Sequence, residues 1–162
     1  ICFPLNDVCC DPVKNVLALF LSEVLFRVVK DTESDPRLFD YLYESIHLLE
    51  YADKGIANFH MVFLLGLLHH LGIFPNMESH RVGYYFDMLN GVFTDHIPMH
   101  RHYLNKVESA FFSRLLRISF ENMSLYGFSR QERVRIIHQY YRLHLPDFPE
   151  IKSLSVMQSL FD

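Results

Sequence analysis

Glycine and proline are sparse, at 6 and 7 of 162 residues, which excludes collagen-like repeats and low-complexity linkers as descriptions of the whole chain. Cysteine is scarcer still. The three present, Cys2, Cys9 and Cys10, crowd into the first ten residues, and an odd, unspaced set builds no disulfide framework, so a reducing compartment is expected. No long hydrophobic run occurs: the most apolar stretch, Met61 to Leu71, is interrupted by His69 and His70 and falls far short of the roughly 18 to 20 apolar residues that span a bilayer. The start, Ile1-Cys2-Phe3-Pro4, lacks an initiator Met, a basic region and a cleavage pattern, so the chain is expected to be a piece cut from a longer protein. The nucleophile-elbow, P-loop and dinucleotide-binding glycine motifs are also missing.

What is present is apolar and helical. Half of the residues are hydrophobic and 21% are charged, enough for one domain, residues 1–162, with a real core. Asp11-Pro12 and Asp35-Pro36 each place an N-cap carboxylate before a first-turn proline. After the first, Val13, Val16, Leu17, Phe20, Leu21, Val24, Leu25 and Val28 mark one buried face; after the second, Leu38, Tyr41, Leu42, Ile46 and Leu49 do so. Lys54-Gly55 reads as the C-cap of that second helix. A third, apolar almost all round, is expected over about Ala57 to Leu71, stopped by Gly72 and Pro75.

From Tyr84 to Thr94 the pattern changes: Asn90-Gly91 lies between aromatic and β-branched flanks, a strong hairpin signal. Helical periodicity returns from about His102, with Leu104, Val107, Phe111, Leu115 and Ile118 on one stripe and Lys106, Ser113 and Arg117 opposite. Ser129 and Glu132 form a capping box opening another helix, in which Val134, Ile137 and Tyr141 face inward and Arg135, Gln139 and Arg142 share the outer face. Pro146 and Pro149 end it, and Leu154 to Phe161 reads as a short closing helix. The expected fold class is therefore all-α, a bundle of about six helices with one β-hairpin insertion near Tyr84–Thr94.

Candidate chemistry is thin. The ten histidines include the group His96, His100 and His102, with His80 upstream, which could converge on zinc only if a loop folded them together. Neither a nearby cysteine nor a His-Glu-x-x-His helix supports that reading, and loop histidines ordinarily serve as solvated or capping groups. His69 and His70 suit the carbonyl end of a helix. Cys9 and Cys10 precede an N-cap, where a thiolate could be stabilised, but packing of small apolar residues on the body explains them more simply. Glu23, Glu44 and Glu50 fall on polar helix faces and read as solvated. No catalytic, cofactor-binding or metal-binding constellation is expected.

Charge is more informative when divided. The whole chain carries 19 Asp+Glu against 15 Lys+Arg, a net −4 that at face value counts against nucleic acid as the main partner. Residues 1–100 have 6 basic against 13 acidic groups, residues 101–145 have 8 against 3, and residues 146–162 have 1 against 3. Arg114, Arg117, Arg130, Arg133, Arg135 and Arg142 dominate the basic stretch, and guanidinium forks suit carboxylates and phosphates. Ordinary solvated helix faces would give the same charge pattern.

Together these motifs resemble the C-terminal helical domain of RecO recombination mediators, in the Bacteroidetes-type variant. The resemblance is carried by Ala57-Asn58-Phe59-His60 through Leu71-Gly72-Ile73-Phe74-Pro75-Asn76, by Tyr85-Phe86-Asp87-Met88 with Asn90-Gly91-Val92-Phe93, by Tyr140-Tyr141-Arg142-Leu143-His144-Leu145-Pro146, and by the tail Phe148-Pro149-Glu150-Ile151-Lys152-Ser153-Leu154. It implies an upstream OB-fold and a non-enzymatic DNA repair mediator in the cytoplasm, associated with the nucleoid. It also implies partners: RecR, single- and double-stranded DNA held mainly by the OB-fold, and the acidic, Phe-terminated tail of single-strand-binding protein, which docks on the helical domain. The six Arg residues above are candidates for that docking site or for a continuation of the DNA path. Many family members carry a four-cysteine zinc site after the turn that here runs from Gly72 to Pro75; His80 and Gly83 stand near the first pair and no cysteine follows, so zinc is not carried over. The remaining alternatives are a histidine-metal enzyme on the His80–His102 loop and a helical scaffold with no role at DNA.

Overall fold

The computed structural model describes residues 3–29, 34–127, 130–148 and 150–161. Among them are seven α-helices and three short strands: α1 (Asn6–Cys10), α2 (Pro12–Val28), α3 (Pro36–Tyr51), α4 (Phe59–His70), β1 (Tyr85–Asp87), β2 (Val92–Thr94), β3 (Tyr103–Leu104), α5 (Lys106–Leu115), α6 (Arg130–His144) and α7 (Lys152–Phe161). The chain divides into two compact units, one of Ile1–Phe63, Phe120–Gly127 and Phe148–Asp162, the other of Leu64–Ser119 and Phe128–Asp147. The division falls inside α4, so no linker in the sequence marks it.

In the first unit both Asp-Pro starts behave as expected. Asp11 accepts N–H bonds from Val13 and Lys14, and Asp35 accepts one from Arg37, each ahead of a proline in the first turn. Leu17, Phe20, Leu21 and Val24 of α2 and Leu38 and Leu49 of α3 are buried. Two other helices begin at Leu5 and Ile151, whose side chains cannot cap, and carboxylates from elsewhere do it instead. Glu50 of α3, only 4% exposed, accepts the N–H groups of Asp7 at 2.8 Å and Val8 at 2.9 Å at the start of α1. Glu23 of α2 accepts Lys152 N–H at 2.9 Å, Ser153 N–H at 3.2 Å and the Ser153 hydroxyl at 2.8 Å at the start of α7. Both were expected to be solvated. They are structural instead, because first-turn N–H groups have no partner within their own helix and a carboxylate also favours the helix dipole; Glu44, by contrast, is exposed.

The second helix ends at Tyr51 with Ala52 extended, and Gly55, at φ 73°, opens a 3-10 turn over Ile56–Asn58 rather than capping α3. Cys9 and Cys10 are exposed free thiols at the end of α1, not packed on the body.

The second unit is mixed rather than purely α. Its sheet has the order β2-β1-β3, all antiparallel, with Phe86 opposite Phe93 on one side and Leu104 on the other. The hairpin stands where Asn90-Gly91 placed it, but Asp87 pairs with Val92, so the loop is Met88–Gly91, and only Gly91 takes positive φ. Asp87 organises this loop: it accepts N–H bonds from Leu89 and Asn90, each at 3.0 Å, and from the Asn90 amide at 2.8 Å, while His100 Nε2 lies 3.0 Å away. Burial acts to raise the pKa of its carboxyl, but the hydrogen bonds from Asn90 and the His100 ring outweigh it and hold the group below the usual aspartate range.

Behind the sheet, Phe86 packs on Phe93, Phe112 and Tyr140 with ring centres 4.8, 4.9 and 5.9 Å apart. The apolar spacing places Leu104, Leu115 and Ile118 inward, and they are buried, but it misplaces two residues of α5: Val107 is 80% exposed, and Ser113 is buried with Ser109 and Phe112. The serines tolerate burial because they are satisfied: Ser109 Oγ accepts Phe86 N–H at 2.8 Å and donates to the Leu104 carbonyl at 3.0 Å, and Ser113 Oγ donates to the Ala110 carbonyl at 2.8 Å. Ser109 thereby ties α5 to both β1 and β3. Val134, Ile137 and Tyr141 of α6 are buried as expected; the capping box at Ser129 and Glu132 lies outside the described residues and side chains.

Candidate functional site

Three elements of the second unit bring polar groups together. On α6, Arg135, Gln139 and Arg142 follow one another at helical spacing on an exposed face. The loop entering β3 adds Arg101 and His102, and the first turn of α5 adds Glu108. With Met88, Tyr103, Leu104 and Leu143 they line a groove of about 430 Å³. Its apolar lining is fixed by the fold: Leu104 is buried in β3, the Met88 N–H donates to the His102 carbonyl at 2.9 Å, and the His144 ring nitrogen meets the Met88 carbonyl at 2.8 Å.

Glu108 is the one carboxylate in that lining. It belongs to a capping box, in which Asn105 Oδ1 accepts the Glu108 N–H at 2.9 Å and Glu108 Oε2 accepts the Asn105 N–H at 3.1 Å. Its other oxygen, Oε1, receives Arg135 Nη2 at 3.1 Å. Arg101 and Arg142 are exposed and enter no ion pair among the described residues. The arrangement is therefore two available guanidinium groups and one engaged, in a groove of mixed polar and apolar lining, which suits a ligand carrying carboxylates or phosphates beside an apolar group.

Of the six arginines singled out by charge, Arg135 and Arg142 line the groove. Arg114 is exposed in the last turn of α5 and Arg117 lies just beyond it; neither is part of the lining. Arg117 sits instead near His80, whose proton affinity is lowered first by burial and then by Arg117 and Arg81. Arg130 and Arg133 fall in the first turn of α6, and their side chains lie outside those described. Arg101 is not among those six and reaches the groove from a loop; its place as the first residue of the basic 101–145 stretch is the signal the sequence holds for it.

The histidines do not assemble. His80 packs edge-on against Phe93, His96 lies 2.8 Å from Asp95 in the open, His100 meets Asp87, and His102 lines the groove. Among the described residues no three His, Cys, Asp or Glu side chains are placed to hold a metal ion. The four-cysteine zinc site does not fit this chain, whose later residues contain no cysteine. Among the described residues no helix is long and apolar enough to cross a membrane.

A second hollow, of about 600 Å³, lies in the first unit beside Tyr43, His47, Tyr51, Phe120 and Met123. It is the larger, but Glu44 and Asp53 face a single Lys54 in its lining, so its charge does not suit an anionic ligand.

Comparison with known proteins identifies related chains. The family model described as recombination protein O C terminal matches residues 10–154. A DNA repair protein RecO from Bacteroides fragilis is 44% identical over 163 residues, covering 98% of this chain and 67% of that protein. Another from Porphyromonas gingivalis is 37% identical over 157 residues, covering 94% and 64%, and one from Flavobacterium psychrophilum is 31% identical over 162 residues, covering 98% and 66%. This chain thus spans about two thirds of the length of these relatives. No solved structure matches it significantly.

Proposed function

Since the chain belongs to the recombination protein O C-terminal family, whose role is in DNA repair and recombination, we propose that residues 1–162 are the non-catalytic, partner-binding helical domain of a recombination mediator. The groove of Arg101, Arg135 and Arg142 receives the acidic, Phe-terminated tail of single-strand-binding protein. RecR and DNA are engaged by the full-length protein, with an N-terminal OB-fold supplying most of the DNA affinity.

The observation that carries this reading is that Arg101, Arg135 and Arg142 line one groove together with the apolar side chains of Met88, Leu104 and Leu143. A peptide whose last residue is phenylalanine offers carboxylates for the forks and a ring for the lining.

Fluorescence anisotropy with a labelled acidic peptide ending in phenylalanine tests it. Charge reversal at Arg101 or Arg142 should weaken binding at least about tenfold, while Arg114→Glu should leave it unchanged. The isolated chain, net acidic, should hold DNA weakly and lose it steeply as salt rises. If Arg101→Glu and Arg142→Glu alter neither peptide binding by the chain nor DNA binding by the full-length protein, the groove is not the site.

A further inference from the structure

The groove already contains an anion. Glu108 sits where a ligand carboxylate would meet Arg135, with Oε1 on Nη2 at 3.1 Å, and it reaches that position across 27 residues of sequence. Its other oxygen is anchored to the Asn105 N–H at 3.1 Å, so the carboxylate is fixed by the start of α5 rather than by Arg135. The guanidinium is the partner free to turn away. The two side chains are 33% and 50% exposed, and pairs of that kind hold together only weakly in water.

We propose that Glu108 is a resident competitor: it occupies Arg135 in the empty groove, must be displaced from it by an incoming acidic segment, and so keeps capture of that segment weak and reversible. This rests on the acidic-tail reading above. Two effects of Glu108 act with the same sign. Arg135 gives up one carboxylate to accept another, which cancels most of the gain from that fork. The carboxylate left behind, still pinned by Asn105, then repels the ligand's own charges at short range. A role confined to holding Arg135 in position would act with the opposite sign, since losing it would leave the guanidinium less ordered and binding weaker.

Glu108→Gln separates these possibilities. Glutamine keeps an acceptor oxygen for the Asn105 N–H, as capping boxes allow, and removes only the charge, so thermal melting of the variant should fall by no more than about 4 °C, the weight of one first-turn acid and one surface ion pair. With a fluorescein-labelled, aspartate-rich peptide ending in a phenylalanine carboxylate, Glu108→Gln should bind about fivefold tighter or more. In an Arg135→Gln background the same change should gain clearly less, about twofold, because only the direct repulsion of the ligand then remains to be relieved. Unchanged or weaker binding by Glu108→Gln, with the unaltered chain still binding and still sensitive to Arg142→Glu, overturns the competitor role and leaves the acidic-tail reading intact. Absence of binding by both the unaltered chain and Glu108→Gln overturns the reading itself, and this inference with it.

Discussion

The hydroxyl of Tyr140 lies 2.9 Å from the point a Cβ on Gly91 would occupy, and the same hydroxyl donates to the Ile73 carbonyl at 2.6 Å. Gly91 has φ 66°, so its side chain is excluded twice, by backbone conformation and by space. This contact lets α6 close over the hairpin and so positions the helix that carries Arg135 and Arg142. Gly91→Ala should destabilise the chain by about 2 kcal/mol or more, the left-handed conformation alone costing roughly 1–2 kcal/mol. Gly72→Ala is the control, since Gly72 has φ 72° but open space around it. Urea denaturation should show the smaller loss at Gly72.

Tyr140 also predicts an alkaline limit. Burial pushes its hydroxyl from the ordinary 10.0 up to about 12, and burial raises Tyr41 further despite the Ser45 hydroxyl beside it. A raised folded-state value means that the stability is fully present below pH 10.0 and is lost as pH rises toward about 12. Tyr140→Phe should cost about 1 kcal/mol at neutral pH by leaving the Ile73 carbonyl without its donor. It should also flatten the alkaline loss, as read from denaturation midpoints across that range.

The carboxylate caps predict an acid limit of opposite sense. Burial acts to raise the pKa of Glu23, but hydrogen bonds from Lys152 N–H and from the hydroxyl and N–H of Ser153 outweigh it, with Arg27 nearby, and the net shift is downward from 4.5. Glu50 is lowered likewise against burial by the N–H groups of Val8, Asp7 and Asn6 and by Lys14. Stability from both is present above pH 4.5 and is lost as pH falls through the depressed values. Glu23→Gln should increase hydrogen exchange at the Lys152 and Ser153 amides at neutral pH and leave the sheet of the second unit unaffected. Exchange unchanged there would show that Glu23 does not hold α7.

Sequence reasoning located what local chemistry determines. The Asp-Pro starts placed α2 and α3, Asn90-Gly91 placed the hairpin, and helical spacing put Arg135, Gln139 and Arg142 on one exposed face. It missed what depends on distant partners. Glu23 and Glu50 look like solvated acids until α7 and α1 are folded against them. Tyr103-Leu104 is too short to show a period of two, and becomes a strand only by pairing with Phe86 and Asp87. Hydrophobic spacing misplaces Val107 and Ser113, because Ser109 and Ser113 are buried through hydrogen bonds to the backbone that such spacing does not register. The site was half legible for the same reason: two of its arginines share a helix, while Arg101 reaches it from a loop whose course is set by β3.

The most direct test of the account is chemical-shift mapping of the isotopically labelled chain as the acidic, Phe-terminated peptide is added. The account predicts that perturbed amides cluster at residues 101–108 and 135–143, with the Arg101, Arg135 and Arg142 guanidinium signals shifting together. Perturbations gathered instead around Tyr43, His47 and Lys54, or no perturbation at all at saturating peptide, would contradict it.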